Sequence, residues 1–507
     1  MSISLVYAGC IVGVCSTLCS ILVSLKPRLI LQIPVYILSA LNLVSFYFMV
    51  KYGIGTSIYV LMILSGFISF NFVRYGSKRI SVEEMRNSIW KNAGLLMAGF
   101  SLVFTLEVQV VQQLNFSLLM DSVIGISFVG ALMAAMNSIR TIVKSRLYKT
   151  PPLSSKDQPT VTIAIAARNE DAALSDCLNA ILGSDYEKME VLVLDDCSTD
   201  GTGSLMSFYA KSGVRFISGV EPPLGWLGQN WAYQQLEKEA AGDYIIYLSV
   251  DTVITPKTIS RMVRFAEFYT YEMISLQPTL PYLDIFPQLL QPLKLLWQTT
   301  FRTLLKRPPV SSSLWMIKAK SLADFGVFTP IAASINPEKD LATKLYKKDG
   351  YFYAFSSADD GVSTRKGLSS LWSTSVRSYY PRNGKNPALT CYAILLILAI
   401  LIVPFLGVAE AMSTHQFNLN VILGIISVVI WWVAHLMLTT RISPSAWFLA
   451  VFNLPIMIAV EVYLSLASMY KYEFGEVNWK SRNICWIDKE QRLKLDAWRK
   501  MQQNLKR

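Results

Sequence analysis

Histidine is nearly missing from this chain. Two, His415 and His435, serve 507 residues, and both lie in or beside apolar segments. That argues against histidine-based catalysis and histidine metal sites. The seven cysteines (Cys10, Cys15, Cys19, Cys177, Cys197, Cys391 and Cys485) form no CxxC pair and no zinc spacing. Neither a disulfide framework nor a zinc site is therefore indicated. Charge is sparse as well, at 16% of residues. The net charge of +12 includes no Lys/Arg-rich run with interleaved aromatics, so nucleic acid is set aside as a partner. What remains for chemistry is carboxylate.

Apolar residues are what the chain does hold, at 52%, with a mean hydropathy of +0.38. This composition suits a membrane protein with a soluble part. Five N-terminal segments, roughly 3–24, 29–50, 54–73, 92–111 and 117–138, approach the ~20 apolar residues needed to cross a bilayer. The first has no basic n-region and is followed by further spans, so it reads as an anchor and not a cleaved signal. Basic residues follow the first, third and fifth segments: Lys26 and Arg28; Arg74, Lys78, Arg79, Arg86 and Lys91; Arg140, Lys144, Arg146 and Lys149. By the positive-inside rule, residue 140 onward is cytoplasmic.

Three further apolar segments, about 388–411, 419–439 and 445–468, precede a basic tail at 472–507. Three crossings would place that tail outside, whereas its charge asks for the inside. One segment, such as the one interrupted by Pro455, is then re-entrant. Glu107 and Glu461 are ionisable groups within apolar segments. Such groups are functional candidates, with a protonated or hydrogen-bonded structural role as the alternative.

Between these regions the pattern changes. After the Pro/Ser-rich linker "KTPPLSSKDQPT", short β-branched runs alternate with helical stretches. The runs are "TVTIAIAA", "EVLVLDD", "VRFIS" and "YIIYLS"; the helical stretches cover 171–182, 202–211 and 230–241. This alternation predicts a mostly parallel, Rossmann-like sheet with ligands at the carboxyl ends of its strands. Polar signals fall at those ends: "ARNE", "DDCSTDG" and "SVDT". Residues 282–308 mix apolar and basic residues with internal prolines. They read either as broken amphipathic helices at a membrane surface or as a packed helix pair.

"EVLVLDDCSTDGT" ends a buried strand in Asp195 and Asp196. An ionised carboxylate there accepts hydrogen bonds from a base or ribose; capping of the turn and the following helix is the plainer alternative. "GWLGQNWAYQQ" carries glycines that permit close approach to a ligand. "NPEKDLATKLYKKDGY" and "DDGVSTRKGLSSLW" follow later in the chain. In this order the segments resemble the membrane-bound family 2 glycosyltransferases, which have the GT-A fold. The resemblance covers roughly 158–383. "PPLGWLGQNWAxxQ" is similar to a "PLPxGWxGKxWA" signature of enzymes that glycosylate carotenoid- or hopanoid-type lipids, and "VNWKSR" (477–482) to a "WKGR"-like motif there.

The resemblance implies a polytopic α-helical membrane protein with an inserted cytoplasmic α/β GT-A domain. Its regions are 1–140 (about five spans), 150–383 (the GT-A domain), 384–470 (about three apolar segments) and 471–507 (the tail). It implies inverting transfer from a nucleotide sugar, UDP- or GDP-linked, to a membrane-lipid acceptor at the cytoplasmic face, with Mg2+ or Mn2+ neutralising the leaving diphosphate. Residue by residue, it places Ala167, Arg168, Asn169, Glu170, Asp196, Gly228, Gln229, Ser249 and Arg365 at the donor. Asp195 supports the turn, and Asp251 holds the metal. The base is Glu338 by register and Asp340 by residue type. The plainer reading of that segment is an acidic first turn behind a proline.

Several positions depart from the family pattern. Gln229 stands where a lysine is usual, and Ser249 replaces the first acid of Asp-x-Asp. "WSTSVRSYYPR" lacks the Gln-x-x-Arg-Trp of processive synthases. Arg365 resembles an arginine of the lipid-directed subgroup and Arg377 lies nearby; either is a candidate to pair with the pyrophosphate, and Arg377 reads more simply as a basic residue at a membrane surface. Two alternatives to lipid glycosylation stay open: a processive polysaccharide synthase, and a nucleotide-sugar-binding membrane protein that has lost catalysis.

Overall fold

The computed structural model describes residues 116–485, apart from 155–157, 281–284, 301–306, 358–360, 366, 395, 399–400, 402–403, 405–418, 445–447, 449, 475–476 and 481. The four segments read as spans between residues 3 and 111, together with Glu107 and the tail beyond 485, lie outside the described residues.

A long apolar helix, α1 (Phe116–Lys144), comes first. It coincides with the fifth segment read as a span. The linker leads to β1 (Val161–Ala167), α2 (Asp171–Leu182), β2 (Met189–Asp195), α3 (Thr202–Tyr209), β3 (Val214–Ser218), α4 (Gly228–Glu239) and β4 (Tyr244–Leu248). The four β-branched runs and three helical stretches of the sequence thus become four strands and three helices. Then follow β5 (Thr252–Val253), α5 (Thr258–Tyr269), β6 (Met273–Gln277), α6 (Ile285–Thr300), β7 (Leu314–Lys318), α7 (Ala319–Phe325), α8 (Pro337–Tyr346), β8 (Tyr351–Phe355), β9 (Ser363–Thr364) and α9 (Leu368–Arg382). Two long apolar helices, α10 (Leu419–Ile442) and α11 (Ala450–Glu473), precede a small hairpin of β10 (Asn478–Trp479) and β11 (Arg482–Asn483).

Seven strands form one sheet in the order β3-β2-β1-β4-β7-β6-β8. All neighbours pair in parallel except β7, which runs antiparallel to both β4 and β6. The sheet is therefore mostly parallel. The two-residue side-chain period divides it into two faces. On β4, Tyr244, Ile246 and Leu248 join one core with Ile163 and Ile165 of β1, while Ile245 and Tyr247 join the other with Ala164. Tyr247 stacks on Trp315 of β7, with ring centroids 4.2 Å apart, and Tyr233 and Phe328 close the cluster.

The second core continues into the apolar helices. Leu295, Leu296 and Trp297 of α6 are buried with Trp431 of α10 and Leu454 of α11, and the rings of Trp297 and Trp431 lie 5.9 Å apart. Buried Asn137 of α1 donates to the Thr300 carbonyl of α6 at 2.9 Å. Among the described residues, three helical stretches have the length and apolar character to cross a membrane: Ser122–Lys144, Val421–Ile442 and Leu454–Glu473.

Candidate active site

At β1 the chain reverses side, since β1 lies between β2 and β4. A crevice opens beyond the carboxyl ends of these three strands. A cleft of about 120 Å3 occupies it. Ala167, Arg168 and Glu170 reach it from the end of β1, and Asp196 from the end of β2. Ser249 and Asp251 come from the loop after β4, Gln229 from α4 and Glu338 from α8.

Two turns hold the strand ends in register. Asn169 takes a left-handed φ of 50° and accepts from the Thr199 amide through its side chain at 2.9 Å, while its own amide donates to Ser198 Oγ at 3.0 Å. Asp195 Oδ1 accepts from the Ser198 amide at 3.0 Å. Asn169 and Asp195 thus build the wall of the cleft without lining it.

Asp196 is 4% exposed, and its Oδ1 is buried with no hydrogen-bond partner among the described residues. An unmade bond of this kind costs free energy until a donor fills it. Its other oxygen, Oδ2, accepts from Arg482 Nη1 at 2.6 Å. Burial pushes the Asp196 carboxyl up, and Arg482 opposes that shift.

Glu338 lies in the first turn of α8, behind Pro337 and 5% exposed. Burial raises its carboxyl above the ordinary range. The path to Glu338 is pinned from α4. Asn230 Nδ2 donates to the carbonyls of Ile331, Ala332 and Ser334 at 2.9, 2.9 and 2.8 Å, and the Leu227 amide donates to the Ala332 carbonyl at 2.9 Å. The segment "GWLGQNWA" therefore fixes the loop that delivers Glu338. Asp340 lies two residues further on α8 but lines a different cavity, where its Oδ2 accepts from Ser334 Oγ at 2.6 Å.

The remaining sequence candidates are spread out. Gln229 donates to Tyr233 Oη at 3.0 Å and faces the cleft. Gly228 lies against the Arg482 guanidinium, where a Cβ would come within 2.4 Å of Nη1. The Arg365 side chain pairs with Asp176 at the surface, and its backbone amide donates to the Asp251 carbonyl at 2.9 Å.

Sequence reading gave no role at the site to the β10–β11 hairpin, and for Arg377 it set a membrane-surface role ahead of pairing with the pyrophosphate. Arg482 bridges Asp196 and Glu221, Lys480 pairs with Glu170, and Arg168 donates to the Lys480 carbonyl at 2.9 Å. Trp479 and Lys480 line the cleft. The signal was present in "VNWKSR", but its distance from the acidic turns hid what it touches. Arg377 lies 4.4 Å from the Trp479 ring centroid, faces the same cleft with Lys294, and keeps a buried Nε without a partner among the described residues. Glu461, an acid within an apolar segment for which a functional or a hydrogen-bonded structural role was open, has partners: Arg382 at 3.0 Å and the Tyr379 hydroxyl.

Comparison with known proteins follows this geometry. Residues 162–323 match the family described as glycosyl transferase family 2. The chain carries a family 2 glycosyltransferase domain. Among curated proteins it is similar to the poly-beta-1,6-N-acetyl-D-glucosamine synthase of Staphylococcus aureus (strain COL), 26% identical over 112 residues, which is 22% of this chain and 26% of that one. The match thus spans about a quarter of the relative's length.

Among solved structures, a mannosyltransferase from Pyrobaculum calidifontis in complex with GDP-Man and Mn2+ aligns over 69% of this chain and 98% of its own, with 16% identity and a TM-score of 0.44. S. aureus TarS 1–349 in complex with UDP-GlcNAc aligns over 62% and 89%, with 16% identity and a TM-score of 0.31. Glucosyl-3-phosphoglycerate synthase from Mycobacterium tuberculosis, in complex with Mn2+, UDP and glucosyl-3-phosphoglycerate, aligns over 45% and 82%, with 16% identity and a TM-score of 0.30.

Proposed function

We propose that this protein transfers a sugar from a nucleotide-sugar donor to a membrane-lipid acceptor at the cytoplasmic face, with inversion at the anomeric carbon. One observation carries the reading: Asp196, Asp251 and Glu338 face a single cleft at the carboxyl ends of β1, β2 and β4. The unfilled Asp196 Oδ1 is an acceptor for the donor's base or ribose. Glu338, buried and with its carboxyl raised above the ordinary range, suits a general base that takes the acceptor hydroxyl's proton as its oxygen displaces the diphosphate. No enzyme nucleophile intervenes, so the configuration inverts.

A divalent cation, Mg2+ or Mn2+, fits this donor set with Asp251 as its protein ligand. Magnesium is commonly held by one or two carboxylates together with substrate phosphates. When bound, the ion neutralises charge on the leaving diphosphate. Arg377 and Lys294 face the same cleft and add positive charge toward that group. Ala167, Arg168, Glu170, Gln229 and Ser249 line the same cleft and are assigned here to the donor. Asn169, Gly228 and Arg365 act there indirectly, through the turns and the backbone they hold.

The spans and the domain fit one arrangement. Residues 150–383 are the catalytic domain, between spans in 1–140 and in 384–470, and 471–507 is the tail. Arg482 reaches Asp196 directly after α11, which supports α10 and α11 as a pair of crossings that returns the chain to the domain's side, with the Pro455 segment crossing and not re-entrant. The positive-inside rule makes that side cytoplasmic.

A second reading, processive polysaccharide synthesis, is favoured by the likeness to the staphylococcal synthase. The missing Gln-x-x-Arg-Trp weighs against it. The deciding experiment incubates the protein in native lipid with labelled UDP- and GDP-sugars. Label in the lipid extract supports the proposal, a water-soluble polymer supports the second reading, and donor binding with no product supports a domain that has lost catalysis.

A further inference from the structure

Next to the cleft, and sharing Ile335 and Asn336 with it, lies an open cavity of about 740 Å3. Among the described residues, six cations line it (Arg307, Lys339, Lys344, Lys347, Arg382 and Lys385) against one acid, Asp340. Asp340 accepts from Ser334. Of the six, Arg382 is held by Glu461 at 3.0 Å. Arg307, Lys339, Lys344 and Lys347 make no ion pair among the described residues. So much unbalanced charge is self-repulsive, and a concave wall concentrates its field. Burial holds the Lys339 ammonium below its ordinary pKa, and the nearby Arg382 and Arg307 push it the same way.

The cavity adjoins the site. A smaller space of about 60 Å3, lined by Lys294, Asn336, Glu338, Lys339 and Arg382 among others, shares residues with the donor cleft and with the basic cavity. Consecutive residues of α8, Glu338 and Lys339, face these spaces. The far wall hangs on α11: Arg382 pairs with Glu461, and the Lys385 ammonium lies 5.2 Å from the Tyr472 ring centroid. A ligand here would thus lie beside a helix long enough to cross a bilayer.

We infer that this basic cavity binds the phosphate of a phosphate-bearing lipid headgroup and presents a hydroxyl of that headgroup to Glu338. The inference rests on the proposed glycosyl transfer and narrows its acceptor. Ammonium groups bind phosphate as point charges. A general base is needed for a hydroxyl nucleophile and not for an ionised phosphate oxygen, so the phosphate anchors and a neighbouring hydroxyl reacts.

The test uses the full chain in phosphatidylcholine nanodiscs. Calorimetry measures binding of short-chain phosphatidic acid, short-chain diacylglycerol and inorganic phosphate, with UDP and GDP measured on the same samples. Phosphatidic acid is expected to bind about tenfold more tightly than diacylglycerol, as one charged hydrogen bond provides. Lys339→Gln removes that preference and Lys339→Arg keeps it. The exposed pair Lys344→Gln/Lys347→Gln weakens it without risk to the fold, and nucleotide affinity is unchanged throughout. Inorganic phosphate that binds as tightly as phosphatidic acid supports the phosphate site but overturns the lipid source. Equal binding of phosphatidic acid and diacylglycerol, with UDP or GDP still bound, overturns the inference alone. Failure of both nucleotides to bind overturns it together with the reading it rests on.

Discussion

Arg482 Nη1 lies 2.6 Å from Asp196 Oδ2, joining residues 286 apart in sequence, and its Nη2 lies 2.8 Å from Glu221. The last described hairpin is thereby tied to the acid that ends β2. Arg482→Ala leaves the buried Asp196 carboxylate without its ion-pair partner, with only the more distant charge of Arg168 to offset it. A hydrogen bond to a charged group contributes about 1.5–3 kcal/mol, so the expected loss in donor affinity is about tenfold or more. Arg482→Lys restores part of it. Donor KM and limited proteolysis near 474–485 are the measurements. An unchanged KM with an intact hairpin would show that the contact only anchors the chain.

Glu338→Gln is expected to lower kcat by about 10²–10⁴ with donor binding intact, as loss of a general base does. Asp340→Asn, in the adjoining cavity, is expected to keep kcat within about threefold, on the same scale for general-base loss. A large kcat loss in the Asp340 variant with a normal Glu338 variant would reverse the assignment.

The pH dependence follows from the same burial. The Glu338 carboxyl is raised, and a base acts only when ionised, so activity climbs with pH through a value above the ~4.3 of an ordinary glutamate. Stability runs the other way. Between the ordinary and the raised pKa the native state keeps a proton that the unfolded chain has lost, so this group's contribution declines as pH rises through that window. A kcat/KM profile with its acid limb at an ordinary carboxylate pKa would contradict this account.

The sequence made one half of the site easier to read than the other. The strands β1 to β4 and the helices between them stand out because each is a short apolar run followed by a polar end, and local periodicity is enough to see that. Asp196, Ser249 and Asp251 fall at those ends by the same logic. The antiparallel β7 and the distant β8 were not read as strands, since their partners are set by crossovers that no local pattern records. Arg377 read as a membrane-surface cation, and only the packing of α9 brings it to the cleft beside Trp479. The basic cavity was equally hidden, because Arg307, Lys339 and Arg382 come from three separate segments.

Asn230 is 1% exposed and spends its amide hydrogens on three carbonyls of the loop before α8. Asn230→Ala strands those acceptors, at a cost of about 1–3 kcal/mol. Because that loop carries Glu338, kcat is expected to fall more than donor KM rises. Asn230→Asp retains the volume but brings no hydrogens to the carbonyls, so it should be no better than alanine. The measurements are Tm by calorimetry and a kcat against KM comparison. A stability loss with kcat unchanged would make Asn230 a packing residue only.

Asp251 is the one carboxylate at the end of β4, because Ser249 stands where a second would supply charge. Among the described residues no cluster of three or more His, Cys, Asp or Glu side chains could hold a metal. A hydroxyl adds an oxygen ligand but no charge, so on the proposed reading the diphosphate would provide most of the ion's coordination. Mn2+ titrated into donor-free protein should therefore bind weakly, and UDP or GDP should tighten it by about tenfold or more, with the reciprocal gain in nucleotide affinity that linkage requires. Asp251→Asn should abolish that coupling while leaving metal-free nucleotide binding in place. Ser249→Asp should strengthen metal binding in the absence of donor by adding the missing charge. Tight Mn2+ binding to the donor-free wild type, or coupling that survives Asp251→Asn, would place the metal ligands elsewhere.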